Sequence, residues 1–351
     1  MRQHRLVLVG FGNIARHLVQ VIASKEPFLA KQHHLKLEVA GVVDIQGAAL
    51  VPPQESIPLS LLSEVVAAKK DISALPWFRP GCSAEEALRE VQADIMVELT
   101  PTNPKDGSPA LQYMLQAFQA GMHVVTANKG PLVVAYRQLT TAAATAGKML
   151  KFGCATAAAL PTTNVGYYDL AGCEILEVSG ILNGTSNYIL TRMHQDALPY
   201  TEALAQAQAM GIAEKDPTLD VDGIDTAIKL VILANALWDA NLTLEHVQVK
   251  GIRQLTPQEI EAALMQEMVY KLVGKASWRE NLAGERQVTV EVAPALLDSS
   301  NPLYKVDGTA KAVAFATDLM GTLLVTGGNS SPVGAAAAIL RDLVNLSREG
   351  G

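Results

Sequence analysis

Four consecutive apolar residues, Leu6-Val7-Leu8-Val9, run directly into Gly10-Phe11-Gly12-Asn13-Ile14-Ala15 and then into a helical pattern carried by Leu18, Val19 and Ile22. So short and unbroken an apolar run reads as a strand buried on both faces, as in a parallel sheet covered by helices. A strand, a glycine turn and a helix in that order predict a doubly wound α/β domain. The same order suits a dinucleotide. Gly10 permits the tight turn, Gly12 lets the backbone approach a pyrophosphate, and Ala15 replaces a third glycine where helix meets sheet. A glycine turn in some other doubly wound protein would look alike, so the following strands carry weight.

The second strand, Leu37 to Val43, ends in Asp44, where a carboxylate can accept a hydrogen bond from the adenosine ribose. The gap from Ala15 to Asp44 exceeds the usual ~20 residues, which predicts a lengthened connection through Pro27, Phe28, His33 and His34. A carboxylate there repels a 2′-phosphate, so NAD is favoured over NADP, although Arg16 is a basic side chain that could accommodate the phosphate. Two further strands, Asp94 to Thr100 and His123 to Lys129, flank a helix through Leu111, Met114, Leu115 and Phe118. Their polar ends, Thr100-Pro101-Thr102-Asn103 and Asn128-Lys129-Gly130-Pro131, are expected to face the same cleft as the glycine turn.

A second concentration of chemistry spans Gly211 to Lys229, with five carboxylates and two amines between apolar runs. Asp225 and Lys229 stand four apart as a helical pattern begins, so both project from one face and read as a proton-handling pair; a surface helix with an ordinary ion pair is the alternative. A calcium loop is rejected, because its first position is Thr218 and Lys229 stands where a bidentate Glu belongs. From about residue 150 the texture changes to small residues, then a strand at Ile175 to Leu182, the loop Asn183-Gly184-Thr185-Ser186-Asn187 and a helix from Tyr188, for which Asn183 and Thr185 are caps by default. Gln287 to Val292 alternates as a half-buried strand, and a glycine-rich turn at Gly327-Gly328 precedes a last helix from about Pro332 to Leu346. The expected organisation is a dinucleotide-binding domain at 1–148, a substrate-binding and dimerisation domain at 149–302, and a segment at 303–351 that returns to the first.

Composition narrows the class. At 351 residues the chain is long enough for two domains, and 49% hydrophobic against 18% charged residues fits a well-buried α/β protein. A net charge of −7 argues against nucleic acid or an anionic membrane as partner. Cys82, Cys154 and Cys173 cannot all pair and show no CxxC spacing, which predicts a reducing, cytoplasmic compartment without zinc. Arg2, His4 and Arg5 precede too short an apolar run for a signal peptide. The best candidate span, Val313 to Val325, is broken by Asp318 and Gly321, so a soluble protein is expected.

Taken together these residues resemble the homoserine dehydrogenases over essentially the whole chain. The matching blocks are Gly10 to Ala15, Ala127-Asn128-Lys129-Gly130-Pro131, Ile181 to Leu190, Glu214 to Lys229, and Asn301-Pro302-Leu303. The resemblance implies a Rossmann-type sheet joined to an α+β substrate and dimerisation domain. It also implies reduction of aspartate 4-semialdehyde to homoserine by NADH or NADPH, a step of threonine and methionine biosynthesis. Carried over by position, Lys229 becomes the acid-base group, Asp225 orients it, and Lys129 lies between nicotinamide and substrate. Glu214 takes the substrate amine, and Thr185, Gly184 and Asp220 contribute to the substrate site. Gly12, Asn13, Ile14, Thr100 and Lys129 take the cofactor, with Gly10 and Asp44, and Gly328 lies near the nicotinamide. A homodimer formed through the second domain's sheet follows from the same resemblance.

Two departures stand out. Gly153 to Pro161 replaces a family segment whose glutamate helps hold a monovalent cation, so no metal is expected and substrate preference could shift. Gly327 to Pro332 replaces a more glycine-rich sequence. The pattern fills the chain, so neither an appended aspartate kinase nor a ligand-sensing regulatory domain is expected, nor threonine feedback through one. Three readings stay open: homoserine dehydrogenase, a related nicotinamide-dependent dehydrogenase acting on another small alcohol or aldehyde, and a catalytically silent nucleotide-binding regulator. Intact Lys129, Glu214, Asp225 and Lys229 argue against the last.

Overall fold

The buried run at the N-terminus forms the centre of a seven-stranded sheet. The computed structural model describes residues 1–280, 284, 286–328 and 331–350. The chain divides into two compact units, Met1–Ala159 with Ser331–Gly351, and Leu160–Ser330.

In unit 1 the strands are β1 (Arg2–Val9), β2 (Leu35–Asp44), β3 (Gly47–Leu50), β4 (Phe78–Pro80), β5 (Ile95–Glu98), β6 (His123–Thr126) and β7 (Leu150–Lys151), in the order β4-β3-β2-β1-β5-β6-β7. β1 pairs in parallel with β2 and with β5, and β6 and β7 continue the parallel set; β3 and β4 are antiparallel additions. The chain leaves β1 in one direction to reach β2 and lies on the other side by β5. This is a topological switch point, where open α/β sheets bind ligands beyond their carboxyl ends. Leu18, Val19 and Ile22 of the helix Asn13–His33 share a core with Ala336, Ile339 and Leu343 of the helix Pro332–Glu349.

The spacing between Ala15 and Asp44 has a different origin from the expected long connection. One 21-residue helix runs through Pro27 to His33, and His34 closes it in the left-handed region before β2 starts at Leu35. The extra residues are helical turns.

Unit 2 holds β8 (Ile175–Ile181), β9 (Val247–Val249), β10 (Val269–Glu280), β11 (Arg286–Leu297), β12 (Lys311–Thr317) and β13 (Thr322–Gly327), ordered β13-β12-β8-β10-β11-β9. All pairs are antiparallel except β11 with β9. The helix Ile224–Trp238 packs on β8, β10, β11 and β9 of this sheet. Gly274 of β10 makes that packing close: a Cβ there would lie 2.9 Å from Thr226 Cγ2 and 3.3 Å from Leu230 Cδ2.

Both expected domain boundaries differ from this division. Residues 149–159 stay in unit 1 because β7 pairs with β6 and the carboxylate of Asp342 accepts the Gly153 N–H at 2.7 Å. Residues 303–330 belong to unit 2, because β12 is hydrogen-bonded to β8, and the return to unit 1 begins only at Ser331. Of the C-terminal departure, Asn329 and Ser330 lie outside the described residues.

Candidate active site

Unit 1 gathers its expected residues at the carboxyl ends of its strands. Gly10 has φ +94°, and a Cβ on it would lie 2.8 Å from the Leu99 carbonyl carbon, so the turn packs backbone to backbone against the end of β5. Gly12 is the N-cap of the helix that Asn13 and Ile14 begin; it supplies no side-chain cap, and a Cβ there would meet nothing within 4 Å. Open space before an uncapped helix N-terminus fits a pyrophosphate. Asp44 ends β2, and its Oδ1 accepts the Ile45 N–H at 2.8 Å. Arg16 points elsewhere: Nε donates to Phe11 O at 3.2 Å, Nη1 to Lys70 O at 2.7 Å, and the guanidinium lies 5.1 Å from the Phe11 ring centroid.

Glu98, which sequence reasoning passed over as a strand residue, ties these ends together. Its side chain is 0% exposed, yet it accepts from the Thr100 N–H at 2.8 Å, the Thr100 hydroxyl, the Thr126 hydroxyl at 2.8 Å and Asn128 Nδ2 at 3.5 Å. Burial pushes its carboxyl above the usual carboxylate range, and the hydrogen bonds from Thr100, Thr126 and Asn128 oppose that shift. Asn128 in turn caps the helix Lys129–Val134 through Gly130 N at 2.9 Å, which sets half-buried Lys129 at its first position. The available signal was a single acid closing the apolar run Ile95-Met96-Val97.

Unit 2 brings Gly184, Thr185, Asp220, Asp225 and Lys229 to one place. The helix Gly184–Gln195 starts four residues before the expected Tyr188, because Asn183 Oδ1 accepts the Ser186 N–H at 2.9 Å and caps it there. The other end of the same amide donates to Asp220 Oδ1 at 2.6 Å and Asp225 Oδ2 at 2.9 Å. Asn183 is therefore both cap and connector, beyond the capping role read from the sequence. Lys229 Nζ lies 2.6 Å from Asp225 Oδ2 and donates to Leu182 O at 2.8 Å, with both side chains largely buried. The surface-pair alternative fails on that burial. Thr185 Oγ1 donates to Ile212 O at 3.1 Å, drawing the Gly211-Ile212 segment to the helix start; Glu214 follows two residues later, exposed. A cavity of about 420 Å³ opens here, lined by Asn183, Gly184, Thr185, Lys229, Thr309 and Lys311 among others.

The remaining acids of the Gly211 to Lys229 block stand apart from this cluster. Asp216 accepts from the Thr218 N–H at 3.1 Å and hydroxyl at 2.6 Å, and Asp222 pairs with Arg253. Gly328, expected near the nicotinamide, has φ +73°, and a Cβ there would lie 2.7 Å from Leu160 N, so packing within unit 2 already requires glycine. At the Gly153 departure, Arg341 Nη2 and Asp342 Oδ1 each lie 2.8 Å from where a Cβ would stand, so the place of a longer side chain is filled from the last helix. Among the described residues no group of three or more His, Cys, Asp or Glu is arranged to hold a metal ion.

Comparison with known proteins gives these two halves a common setting. A family model described as homoserine dehydrogenase matches residues 161–344, and one described as homoserine dehydrogenase, NAD binding domain, matches 10–152. The chain is 37% identical to the homoserine dehydrogenase of Methanocaldococcus jannaschii over 97% of this chain and 98% of that one. It is 35% identical to the NAD(+)-dependent homoserine dehydrogenase of Pseudomonas canavaninivorans over 99% and 97%. A hyperthermophilic archaeal homoserine dehydrogenase solved in complex with NADPH shares the fold, with a TM-score of 0.82 at 24% identity over 99% and 98% of the chains. Matches of this extent to both halves, over a switch-point sheet and a buried lysine-carboxylate cluster, establish that the chain belongs to the homoserine dehydrogenase family.

Proposed function

We propose that the protein interconverts L-homoserine and L-aspartate 4-semialdehyde with Lys229 as acid-base group and NAD as the preferred cofactor. The observation that carries the assignment is the Lys229 ammonium, held by Asp225 and Leu182 O at the wall of the cavity. An ammonium has three donors. Two are engaged by those partners, which leaves the third for the substrate oxygen. When bound, the nicotinamide cofactor supplies or accepts the hydride at the carbon bearing that oxygen. During reduction negative charge grows on the oxygen, and Lys229 stabilises it and delivers the proton that makes the hydroxyl; in oxidation Lys229 takes that proton back. Asp225, itself held by Asn183, keeps the ammonium aimed. Glu214 is assigned to the substrate amine, Thr185 and Gly184 to the substrate's other end, Asp220 to holding Asn183, and Lys129 to the nicotinamide side of the substrate.

Gly10, Gly12, Asn13, Ile14 and Thr100 form the cofactor's phosphate and ring cradle in this reading, supported by the open space at Gly12. NAD is preferred because Asp44 would repel a 2′-phosphate while Arg16 is tied to two backbone carbonyls. The Pseudomonas relative is named for NAD(+). No described helix is long and apolar enough to cross a membrane; the cytoplasmic placement rests on three cysteines that are all free. The homodimer would use the sheet face of unit 2 away from the helices, where Gln248, Lys275, Ser277, Thr289 and Glu291 line a depression of about 660 Å³.

Absorbance at the nicotinamide band, with purified protein, L-homoserine and either NAD or NADP at mildly alkaline pH, tests the proposal. Homoserine-dependent reduction, faster with NAD and abolished in Lys229→Ala, is the expected result. Cofactor binding without homoserine oxidation would overturn it.

A further inference from the structure

No step of the proposed reaction uses Glu98, although its wholly buried carboxylate ends β5 and bonds to the residues that follow both β5 and β6. We propose that Glu98 is a positioning residue: as an ionised carboxylate it holds Thr100 and Lys129 in one fixed relation, and the rate of the reaction depends on that relation. The inference rests on the assignment of Thr100 to the cofactor and of Lys129 to the nicotinamide side of the substrate.

The groups that meet this carboxylate are donors. Oε1 accepts the Thr100 N–H at 2.8 Å and the Thr100 hydroxyl, with Asn128 Nδ2 at 3.5 Å, and Oε2 accepts the Thr126 hydroxyl at 2.8 Å. The Thr126 oxygen also accepts the Asn128 N–H at 2.9 Å, which leaves its own proton for Glu98. An acid proton on either carboxyl oxygen would point at one of these donors, so the surroundings complement the ionised form. A charge without water is costly, and a full set of donors is what offsets that cost. An amide of the same shape does not fit, because its NH2 would face either the Thr100 N–H or the Thr126 hydroxyl.

Geometry separates this task from holding the sheet together. β5 and β6 are joined by their backbones as far as Glu98 and Thr126, and the Ala127 N–H reaches Glu98 O at 3.3 Å. What the side chain adds lies past that ladder, at Thr100 and Asn128, each two residues further along its own strand. Asn128 spreads the hold in both directions: Nδ2 donates to Thr100 O at 3.2 Å and Pro101 O at 3.3 Å, and Oδ1 accepts the Gly130 N–H at 2.9 Å where the helix starts with Lys129. Gly130 lets the two pieces close up, since a Cβ there would lie 2.4 Å from Asn103 O. The loop after β5 and the helix start after β6 are therefore one assembly with Glu98 at its root. Fixing such groups before the substrate arrives spares the reaction the cost of ordering them.

A double-mutant cycle in the full-length enzyme, with L-homoserine and NAD, tests it. Wild-type turnover of homoserine decides the reaction irrespective of Glu98. Glu98→Gln is expected to lower kcat/KM for homoserine roughly 20-fold and to raise the KM for NAD severalfold. In a Lys129→Met background the same substitution should lower kcat/KM for homoserine less than about 3-fold, because the group it positions is gone, while the effect on NAD, which runs through Thr100, persists. Losses that multiply in full in the double variant would assign Glu98 to structure and overturn the proposal, as would wild-type kinetics in Glu98→Gln. Wild-type turnover in Lys129→Met beside a loss in Glu98→Gln would remove the lysine from the scheme and overturn it too. Should Glu98→Gln fail to fold, Thr126→Val keeps the shape and deletes the donor to Oε2. A loss of kcat/KM for homoserine that vanishes in Lys129→Met then supports the proposal, and one that is undiminished there overturns it.

Discussion

The glycine turn of unit 1 and the Asn183–Lys229 cluster of unit 2 are built in opposite ways. The turn works by what it leaves out: Gly12 has no side chain, the helix behind it has no side-chain cap, and the space in front is open. The cluster works by what it satisfies, since one asparagine amide caps a helix and joins two carboxylates, one of which holds the lysine. Backbone donors suit an anion common to every dinucleotide. An acid-base group needs a fixed side chain, and fixing one inside a protein takes partners from several elements.

That contrast can be broken most directly at Lys229. Lys229→Ala is expected to lower kcat by about 10²-fold or more while the NAD dissociation constant stays near wild type. A parallel loss of cofactor affinity would show that the two halves do not act separately. The glycines sharpen the comparison within unit 1. Gly12→Ala adds a Cβ that meets nothing in the protein, so the melting temperature should hold while the KM for NAD rises roughly tenfold. Gly10→Ala places a Cβ against the Leu99 carbonyl at φ +94° and should cost about 1–3 kcal/mol of stability. Thermal melts of the pair decide it, and matching melts would remove the distinction. Asp44→Ala should change the NAD to NADP ratio of kcat/KM severalfold, on the order of 1 kcal/mol, leaving homoserine KM alone.

A further contrast is a difference in acid response. His194 in unit 2 accepts the Tyr270 N–H at 2.8 Å, and burial lowers its pKa to about 4. The unfolded chain, with its histidine near 6.5, takes up the proton first as pH falls, so this contribution to stability is complete above 6.5 and is lost towards 4. Glu98 in unit 1 has the reverse sign. Its raised pKa makes the folded state the better proton acceptor above 4.5, so its contribution declines as pH rises through that raised value. Melting between pH 7 and 4.5 should therefore fall less in His194→Gln than in wild type. Identical pH slopes would refute the His194 assignment.

How legible each half was in the sequence follows from the same contrast. The turn, its strand and its helix are continuous from Leu6 to Ile22, so local pattern sufficed. Even there, distance along the chain misled, because a helix running through Pro27 looked like a loop. In unit 2 the Asp225 and Lys229 pair was readable from its four-residue spacing. Asn183 lies 42 residues from Asp225, and its role as connector depends on a fold that no local pattern encodes. Asp216 and Asp222, chemically alike and closer in sequence, bond elsewhere. The boundary at Ser331 was hidden for a related reason: whether β12 joins one sheet or the other depends on its pairing with β8, some 130 residues earlier.

What the sequence by itself determined is the set of groups whose spacing is local: a glycine turn between strand and helix, an acid at the end of β2, and an acid and an amine one helical turn apart. Periodicity and backbone geometry act over a few residues, so such groups can be read in a line. The tertiary structure alone decided which of many equivalent carboxylates meets Lys229, that Glu98 holds the strand ends from a dry interior, and that Lys311 faces the cavity. Each of these depends on burial and register between distant strands. There a hydrogen bond or a charge gains its strength from the exclusion of water, which only the folded chain provides.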